Sequence, residues 1–349
     1  MSSNPVNSAN AAPAAPATSD ASGAAHGSHG AATEPPTNTG AIRSALARDL
    51  LTAADPARRR KDVLMRVLVF GAFFLAMAPL LSLLWTVVIR GITRLDWYFL
   101  NVTMRGVFGG MDAGGIFHAI IGTVIITLIA TVISVPIGLL TAIYLVEYGN
   151  GTLARATTFF VDVMTGIPSI VAGLFSFAVF AIFFGPGVRL GAAAGVALSL
   201  LMIPVVVRSC EEMLRLVPNE LREASYALGV SKFLTITKVV LRTSVAGLTT
   251  GILLAVARVI GETAPILITA GFADSLNLNP FDGRMMTLPV YIYTQYRQGL
   301  VPCAPGADAC IADINILRAW AAALTLILIV MALNLLGRLV TRFFAPKAR

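Results

Sequence analysis

Charged residues are scarce in this chain. Asp, Glu, Lys and Arg make up only 13% of its 349 residues, whereas a soluble domain carries about 25%. The mean hydropathy is +0.80. This composition excludes an ordinary soluble domain and indicates a membrane protein. The net charge of +8 does not require nucleic acid as a partner, because basic residues lie beside hydrophobic segments, as membrane topology demands.

The sequence also lacks the common catalytic motifs. It contains no G-x-x-x-x-G-K-[ST], H-E-x-x-H or G-x-S-x-G stretch and no cysteine–histidine spacing that would bind a metal. Without a phosphate-cradling loop of its own, the chain is expected to hydrolyse no ATP and to bind no cofactor or metal. If it performs energised transport, the ATPase is a separate polypeptide.

Cysteine is rare as well, with three residues in all. Cys210 falls at the end of a hydrophobic segment, and Cys303 and Cys310 flank the short loop "CAPGADAC". The latter two form a disulfide if that loop lies on an oxidising side of a membrane, and are otherwise free thiols. Their spacing alone leaves both alternatives open.

The N-terminal segment contains little that folds. Residues 1–40 are mainly Ala, Ser, Pro, Gly and Thr, with almost no charge and no large apolar side chain. They cannot bury enough surface to offset the entropy of ordering, and they lack the basic start and apolar core of a signal peptide. We therefore predict a disordered, low-complexity cytoplasmic tail over 1–57, followed by a membrane domain over 58–349.

Six hydrophobic segments follow, each near the roughly 20 residues that a helix needs to cross a bilayer. They predict an all-α integral membrane protein with six transmembrane helices, in which Pro136 and Pro168 are natural kink points. Most Lys and Arg residues flank the inner ends of these segments when both termini are placed in the cytoplasm. The predicted spans are 64–89, 117–146, 157–184, 190–207, 245–271 and 318–338.

A tyrosine-rich stretch precedes the last span. The segment "RMMTLPVYIYTQYRQGL" (284–300) contains Tyr291, Tyr293 and Tyr296, and tyrosine suits the headgroup region of a bilayer. We predict a short amphipathic helix lying on the outer surface. An irregular loop is the alternative.

The loop over 208–243 has the sequence pattern of helices. Asn219, after Pro218, is placed to cap a helix that ends near Gly229, and Ser231 is placed to cap a second helix. An apolar stripe runs along the first helix at Leu221, Ala224, Ala227 and Leu228. Such a helix outside the membrane either docks in a groove on a soluble partner or packs against its own spans.

This loop carries a family resemblance. "REASYALGVS" is similar to the EAA loop of ABC-importer permeases, in which the loop helix inserts into a cleft on the ATPase subunit. The resemblance implies an ATPase-coupling role for Glu223, Ala224 and Gly229. Two positions depart from the pattern: Ser225 stands at the usual second alanine, and Arg242 stands where proline is common.

Four blocks narrow the resemblance. "GGIFHAIIGT", "GIPSIVAGLF", "VPNELREASYALG" and "ARVIGETAPILITAG" together resemble the A-type permeases of the Pst phosphate importers, over residues 63–342. The resemblance implies a MetI-like, type I importer fold in the plasma membrane and phosphate import by alternating access. It also implies a PstC-type permease partner, two copies of a PstB-type ATPase and a PstS-type phosphate-binding protein.

The last block places Arg258 and Glu262 in an apolar run, where a charge without partners costs several kcal/mol. With the fifth span starting near Val245, Arg258 is expected roughly 20 Å along it, near the bilayer centre. Four residues apart, Arg258 and Glu262 are expected on one helix face. This pair, with Thr263, is predicted to line an anion pathway. An internal salt bridge is the alternative.

The chemistry suits phosphate. An arginine fork matches phosphate oxygens, while Glu262 either holds Arg258 in an empty pathway or accepts a hydrogen bond from protonated phosphate. Sulfate has no such proton at neutral pH. Two other functions remain open: a permease for another oxyanion such as sulfate or molybdate, and an intramembrane enzyme that acts on a lipid phosphate. The enzyme would give the EAA loop no purpose.

Overall fold

The computed structural model describes residues 56–304 and 310–344. The chain divides into two compact units, residues 1–73 and 74–349, and the functional features below belong to the second. The predicted disordered tail lies almost wholly outside the described residues. Within those residues the secondary structure is helical, with no strand beyond one isolated bridge between Met111 and Cys310.

Twelve α-helices and two π-helical turns make up the described part of the chain. In chain order they are α1 (Pro56–Gly91), α2 (Trp97–Asn101), α3 (Phe117–Ile143), π1 (Tyr144–Tyr148), α4 (Thr152–Thr165), α5 (Ser169–Phe184), α6 (Gly191–Arg215), α7 (Asn219–Ala227), α8 (Lys232–Leu234), π2 (Thr235–Val240), α9 (Leu241–Ile260), α10 (Ala264–Thr269), α11 (Leu288–Gln298) and α12 (Ile314–Phe344).

Helices α3 and α6 form the centre of the core. They are parallel and approach closely, because Gly138 of α3 faces Val206 and Gly195 of α6 faces Ile129. The side chains between them are fully buried: Ile126, Ala130, Ala194, Leu198 and Met202. Small residues on facing surfaces allow membrane helices to pack tightly, since lipid supplies no hydrophobic force between them.

Helix α6 is longer than its predicted span. It continues past residue 207 to Arg215 because its last two turns bury Cys210, Glu211 and Leu214 against neighbouring helices. The loop predicted over 208–243 is therefore mostly helical: α6 enters it, α7 occupies its middle, and the helix that becomes the next span starts at Lys232.

The third predicted span is broken. Helices α4 and α5 meet at a bend of 104° around residues 166–168. Pro168 explains the break, because proline disfavours helical backbone in the residue before it. The described residues hold five helices long and apolar enough to cross a membrane, or six spans if α4 and α5 are counted as one. Pro136, the other predicted kink point, lies inside the continuous helix α3.

The fifth predicted span, 245–271, is wrong at both ends. Its helix begins at Lys232, passes through π2 and ends at Ile260. A break over residues 261–263 separates α9 from the short helix α10. Pro265 accounts for this break: in a continuous helix its ring would clash with the carbonyl of Gly261, and it has no N–H to donate.

Helix α11 confirms the helix predicted within 284–300, so the irregular-loop alternative is wrong. Its tyrosines differ from one another. Tyr293 and Tyr296 are exposed, as a headgroup position requires, whereas Tyr291 is fully buried against α3. Burial raises the pKa of the Tyr291 phenol above its ordinary value, and its hydroxyl donates to the sulfur of Met104. The Leu288 N–H donates to Thr123 Oγ1 at 2.8 Å, which ties the start of α11 to α3.

Candidate functional site

Helix α7 carries the EAA-like sequence and ends as expected. Gly229 has φ +75°, its N–H donates to the Tyr226 carbonyl at 2.9 Å, and the Val230 N–H donates to Ser225 at 3.2 Å. These two bonds are the Schellman arrangement that glycine permits. The start differs by one residue: Pro218, and not Asn219, is the N-cap, and no side chain caps the helix.

The apolar stripe of α7 points away from the protein. Leu228 is 83% exposed and Leu221 is 41% exposed, and Ala224 and Ala227 are exposed too. The alternative in which this stripe packs against its own spans is therefore wrong. The opposite face holds the helix to the protein through Ser225, whose hydroxyl is buried 2.8 Å from Thr235 Oγ1 of π2. Thus the serine at the usual alanine position makes an anchoring hydrogen bond.

A buried ion pair fixes α7 to the end of α3. Arg222 donates to Glu147 of π1 from Nε and Nη2, at 3.1 and 3.0 Å, and both side chains are largely buried. It also donates to the Val217 and Leu214 carbonyls. Lys232 donates to the Glu147 carbonyl at 2.5 Å and lies over the Tyr148 ring. The sequence analysis missed Glu147, because 75 residues separate it from Arg222.

Arg258 lies in the last turn of α9, and its side chain is exposed. In the described part of the chain it forms no ion pair and no side-chain hydrogen bond, which leaves no support for the alternative of an internal salt bridge. Leu254, one turn earlier, is exposed on the same side. This face of α9 is uncovered in the single chain.

The position of Arg258 along the axis of α6 follows from the packing of α9 on α6. The two helices are antiparallel, with Gly247 facing Met213 and Gly251 facing Ser209. Continuing this register puts Arg258 level with Met202, near the middle of α6 (Gly191–Arg215). The small-xxx-small pattern at Gly247 and Gly251 therefore marks a close helix approach.

Glu262 and Thr263 lie beyond the end of α9. The expectation that Arg258 and Glu262 share one helix face is wrong, because the helix ends at Ile260. Glu262 is half-buried, and its N–H donates to the Val259 carbonyl. Thr263 is the N-cap of α10 and uses its carbonyl, not its side chain, to accept from Leu267. Arg258 thus lies just before the helix break at residues 261–263, and Glu262 and Thr263 lie within it.

Helix α10, which follows the break after α9, packs against α5, which follows the break at residues 166–168. A Cβ on Gly173 of α5 would lie 2.7 Å from the Cα of Pro265 in α10, so the backbones of the two helices are in close contact. Beside Gly261 a cleft of about 700 Å³ opens along α12, lined by Val330 and Asn334 among others. Interrupted helices within a membrane are tolerated where the free backbone is shielded by protein or lines a water-filled cavity.

The chain matches known transport proteins over most of its length. A family model described as the binding-protein-dependent transport system inner membrane component matches residues 134–349. The phosphate transport system permease protein PstA 1 of Mycobacterium tuberculosis (strain ATCC 25618 / H37Rv) is 46% identical over 295 residues, 84% of this chain and 91% of that one. The chain belongs to the PstA family.

A more distant PstA relative and two solved structures agree with this assignment. PstA of Pasteurella multocida (strain Pm70) is 37% identical over 84% of this chain and 97% of its own. A chain of a bacterial alginate ABC transporter complex aligns over 83% of this chain and 98% of its own, with a TM-score of 0.54 and 11% identity. A chain of the MetNI methionine ABC transporter covers 66% of this chain and 95% of its own, with a TM-score of 0.50 and 20% identity. At these identities the structures show the fold alone. The chain is thus a multi-pass inner-membrane permease of the MetI-like type.

Two other predicted features have a place in the structure. Cys303 and Cys310 are joined as a disulfide with their Cα atoms 5.8 Å apart. The bridge lies at the end of the helices opposite α7, since it precedes α12 and Ile311 bonds to Gly110 ahead of α3. Cys210 is a buried free thiol.

Proposed function

We propose that this PstA-family chain is one permease half of an importer that moves inorganic phosphate into the cell by alternating access. The observation that carries the proposal is α7: a short helix with exposed apolar side chains and an anchored opposite face. This is the form that a helix needs in order to transmit a push from a partner groove to the spans. Both relatives are named as permease proteins of a phosphate transport system, which supports phosphate as the substrate.

The partners follow from the same proposal. A PstC-type permease completes the pore by covering the open face of α9, and two copies of a PstB-type ATPase supply the force, one of them through α7. A PstS-type protein delivers phosphate at the opposite end. The α7 end and both chain termini then lie in the cytoplasm, which agrees with the excess of basic residues there. A disulfide at the opposite end suits an oxidising compartment.

Arg258 is the proposed pathway cation. It has no carboxylate partner among the described residues, lies level with the middle of α6, and faces outward from the chain toward the proposed position of the second permease. A guanidinium in this position binds phosphate oxygens through two charge-assisted hydrogen bonds. A charge that faced hydrocarbon at this depth would cost at least a few kcal/mol, which a hydrated pathway removes.

Glu262 and Thr263 are proposed to line the same pathway from within the helix break at residues 261–263. No ion pair joins Glu262 to Arg258, so the carboxylate is available to accept a hydrogen bond from a protonated phosphate oxygen. Sulfate lacks that proton and would meet only repulsion. Two roles were considered for Glu262. This geometry favours acceptance of a hydrogen bond from protonated phosphate over an ion pair that holds Arg258 in place.

The test is reconstitution of the whole importer. The chain is co-purified with PstC-, PstB- and PstS-type subunits and placed in proteoliposomes that contain ATP. Phosphate-loaded binding protein should stimulate ATP hydrolysis and drive accumulation of labelled phosphate, and unlabelled sulfate or molybdate should not compete. Accumulation of labelled sulfate or molybdate in place of labelled phosphate would identify another oxyanion as the substrate. Hydrolysis of a lipid phosphate by the isolated chain would replace transport with catalysis.

A further inference from the structure

Two arginines flank one glycine at the end of the bundle opposite α7. A Cβ on Gly271 would lie 2.9 Å from Cδ of Arg189 and 3.6 Å from Cδ of Arg284. The aliphatic stems of both arginines therefore border the same backbone position. Gly271 has φ +72°, which favours glycine, and its missing side chain leaves the room that the arginines occupy.

Backbone hydrogen bonds hold this arrangement in place. The Leu190 N–H donates to the Thr269 carbonyl at 2.9 Å, and the Met285 N–H donates to the Ala270 carbonyl at 3.3 Å. Arg189 and Arg284 immediately precede these two donors. Consecutive carbonyls at the end of α10 thus fix both arginines beside Gly271, although 95 positions of sequence lie between them.

Neither guanidinium has a counter-charge. Among the described residues Arg189 and Arg284 form no ion pair and no side-chain hydrogen bond, whereas Arg94, Arg208 and Arg222 all pair with carboxylates. Arg189 is half-buried, and Arg284 is exposed and lies over the Phe272 ring, 5.6 Å from its centroid. Two like charges held together repel each other, and a bound anion reverses the sign of that interaction.

An open cleft adjoins Arg284, one of the two arginines. Its volume is about 870 Å³, and its walls include Arg284 and Arg105, while Asp274 and Asp282 lie in the same lining without pairing to Arg284. The cleft has room for a hydrated tetrahedral anion. The two carboxylates raise the cost of holding the anion there and so favour its release.

We propose that Arg189 and Arg284 form an outer anion site, which receives the substrate oxyanion before it reaches Arg258. The inference rests on the proposed import function. Arg189 lies two residues before the start of α6, and Arg258 is level with Met202, so the two positions are roughly 20 Å apart along the helix axis at 1.5 Å per residue. The ligand is a phosphate-type oxyanion that binds a pair of guanidinium forks. A lipid headgroup offers the same chemistry, and the free ion is the ligand proposed.

The test is protection of the arginines from chemical modification in the complete wild-type importer. The complex, in nanodiscs of zwitterionic lipid, is treated with phenylglyoxal, and mass spectrometry gives the modification rate of each arginine. Phosphate should slow the modification of Arg189 and Arg284 by 1 + [phosphate]/Kd, about threefold at twice Kd. Arg297, an exposed arginine at the same end, is the matched control and should be unaffected. Arg284→Gln should abolish the protection of Arg189, whereas Arg297→Gln should leave it intact.

The outcomes separate this site from the proposed function. If none of phosphate, sulfate or molybdate protects the pair, the outer site is wrong, and uptake of phosphate by the same preparation would still support the importer. Protection by sulfate or molybdate alone would support the site and contradict phosphate as substrate. Protection that arises from anionic lipid in the nanodisc, and that phosphate does not increase, would overturn the site as a station for the free ion.

Discussion

Arg222 of helix α7 donates from both Nε and Nη2 to one carboxylate oxygen of Glu147, at 3.1 and 3.0 Å. The pair joins the helix that we propose to contact the ATPase to the π1 turn at the end of α3. Force applied to α7 therefore has a short and polar route into α3, one of the two helices at the centre of the core.

Loss of this ion pair should uncouple ATP hydrolysis from transport. Glu147→Ala leaves Arg222 buried without its carboxylate, and the loss of one partner of a buried pair costs about 3–5 kcal/mol. We expect more ATP hydrolysed per phosphate imported, with α7 still able to bind the ATPase. Arg215→Gln is the control, because Arg215 forms a more exposed pair with Glu211 at the same end of the bundle. An unchanged ratio in Glu147→Ala would contradict the force route.

The exposed stripe of α7 should be the ATPase contact. Leu228→Arg is expected to weaken co-purification of the PstB-type subunit at least about tenfold, which corresponds to about 1.4 kcal/mol, less than full burial of a leucine contributes. Leu216→Arg is the matched control, since Leu216 is 72% exposed nearby but lies outside the stripe. Equal co-purification of both variants with the ATPase would remove α7 as the docking helix.

Arg258→Ala and Glu262→Ala should each reduce phosphate uptake to near background, because each removes a charged group from the proposed pathway. Neither should prevent membrane insertion or assembly, since neither side chain forms an ion pair or hydrogen bond among the described residues. Labelled phosphate uptake and subunit co-purification measure the two effects. Arg242→Ala, an exposed arginine in the first turn of α9, should retain uptake. Normal uptake by both pathway variants would refute this role.

The close contact between α9 and α6 should not tolerate a larger side chain. A Cβ on Gly251 would lie 2.8 Å from the Ser209 Cβ, so Gly251→Val forces the helices apart at a cost of about 1–3 kcal/mol. We expect a lower melting temperature in detergent. Gly261→Ala is the control, because the nearest atom to its Cβ would be 3.7 Å away. A melting temperature as high in Gly251→Val as in the control would show that the two helices do not approach closely at Gly251.

The disulfide provides a test of orientation. In intact cells a membrane-impermeant maleimide should label Cys303 and Cys310 only after reduction, whereas buried Cys210 should stay unlabelled. Closing so short a loop stabilises the folded state by about 2–3 kcal/mol in the chain-entropy account, so reduction should also lower the melting temperature. Labelling without prior reduction, or labelling confined to permeabilised cells, would contradict an oxidised bridge on the outer side.

The sequence was sufficient for features that depend on local pattern. Hydrophobic length predicted most of the spans, and glycine at a helix end together with an apolar stripe predicted α7, although not whether that stripe is exposed. Pro168 predicted a kink in the third span, and the structure shows a bend of 104° there. Each of these features is decided by residues within a few turns of one another.

The misses depend on packing or on distant residues. Hydropathy extended the fifth span across the break at Gly261, because apolar side chains continue on both sides of it. The same measure ended α6 at residue 207, although Glu211 is buried within the continuing helix. The Glu147–Arg222 pair and the arginines beside Gly271 are joined only by the folded backbone. No periodicity in a single sequence indicates such contacts.

The two π-helical turns lie at the ends of the two spans that hold α7. A π turn contains more residues than an α turn, so one residue can be deleted from it and leave a regular helix. Each residue of an α-helix adds about 100° of rotation. A one-residue deletion in the regular part of α9 would therefore rotate every residue beyond it by about 100° and carry the Arg258 guanidinium away from its present side. The same deletion in π2 would leave a regular helix with Arg258 on its present side. The π2 turn is thus the place where this span can lose a residue without a change in the direction that Arg258 faces.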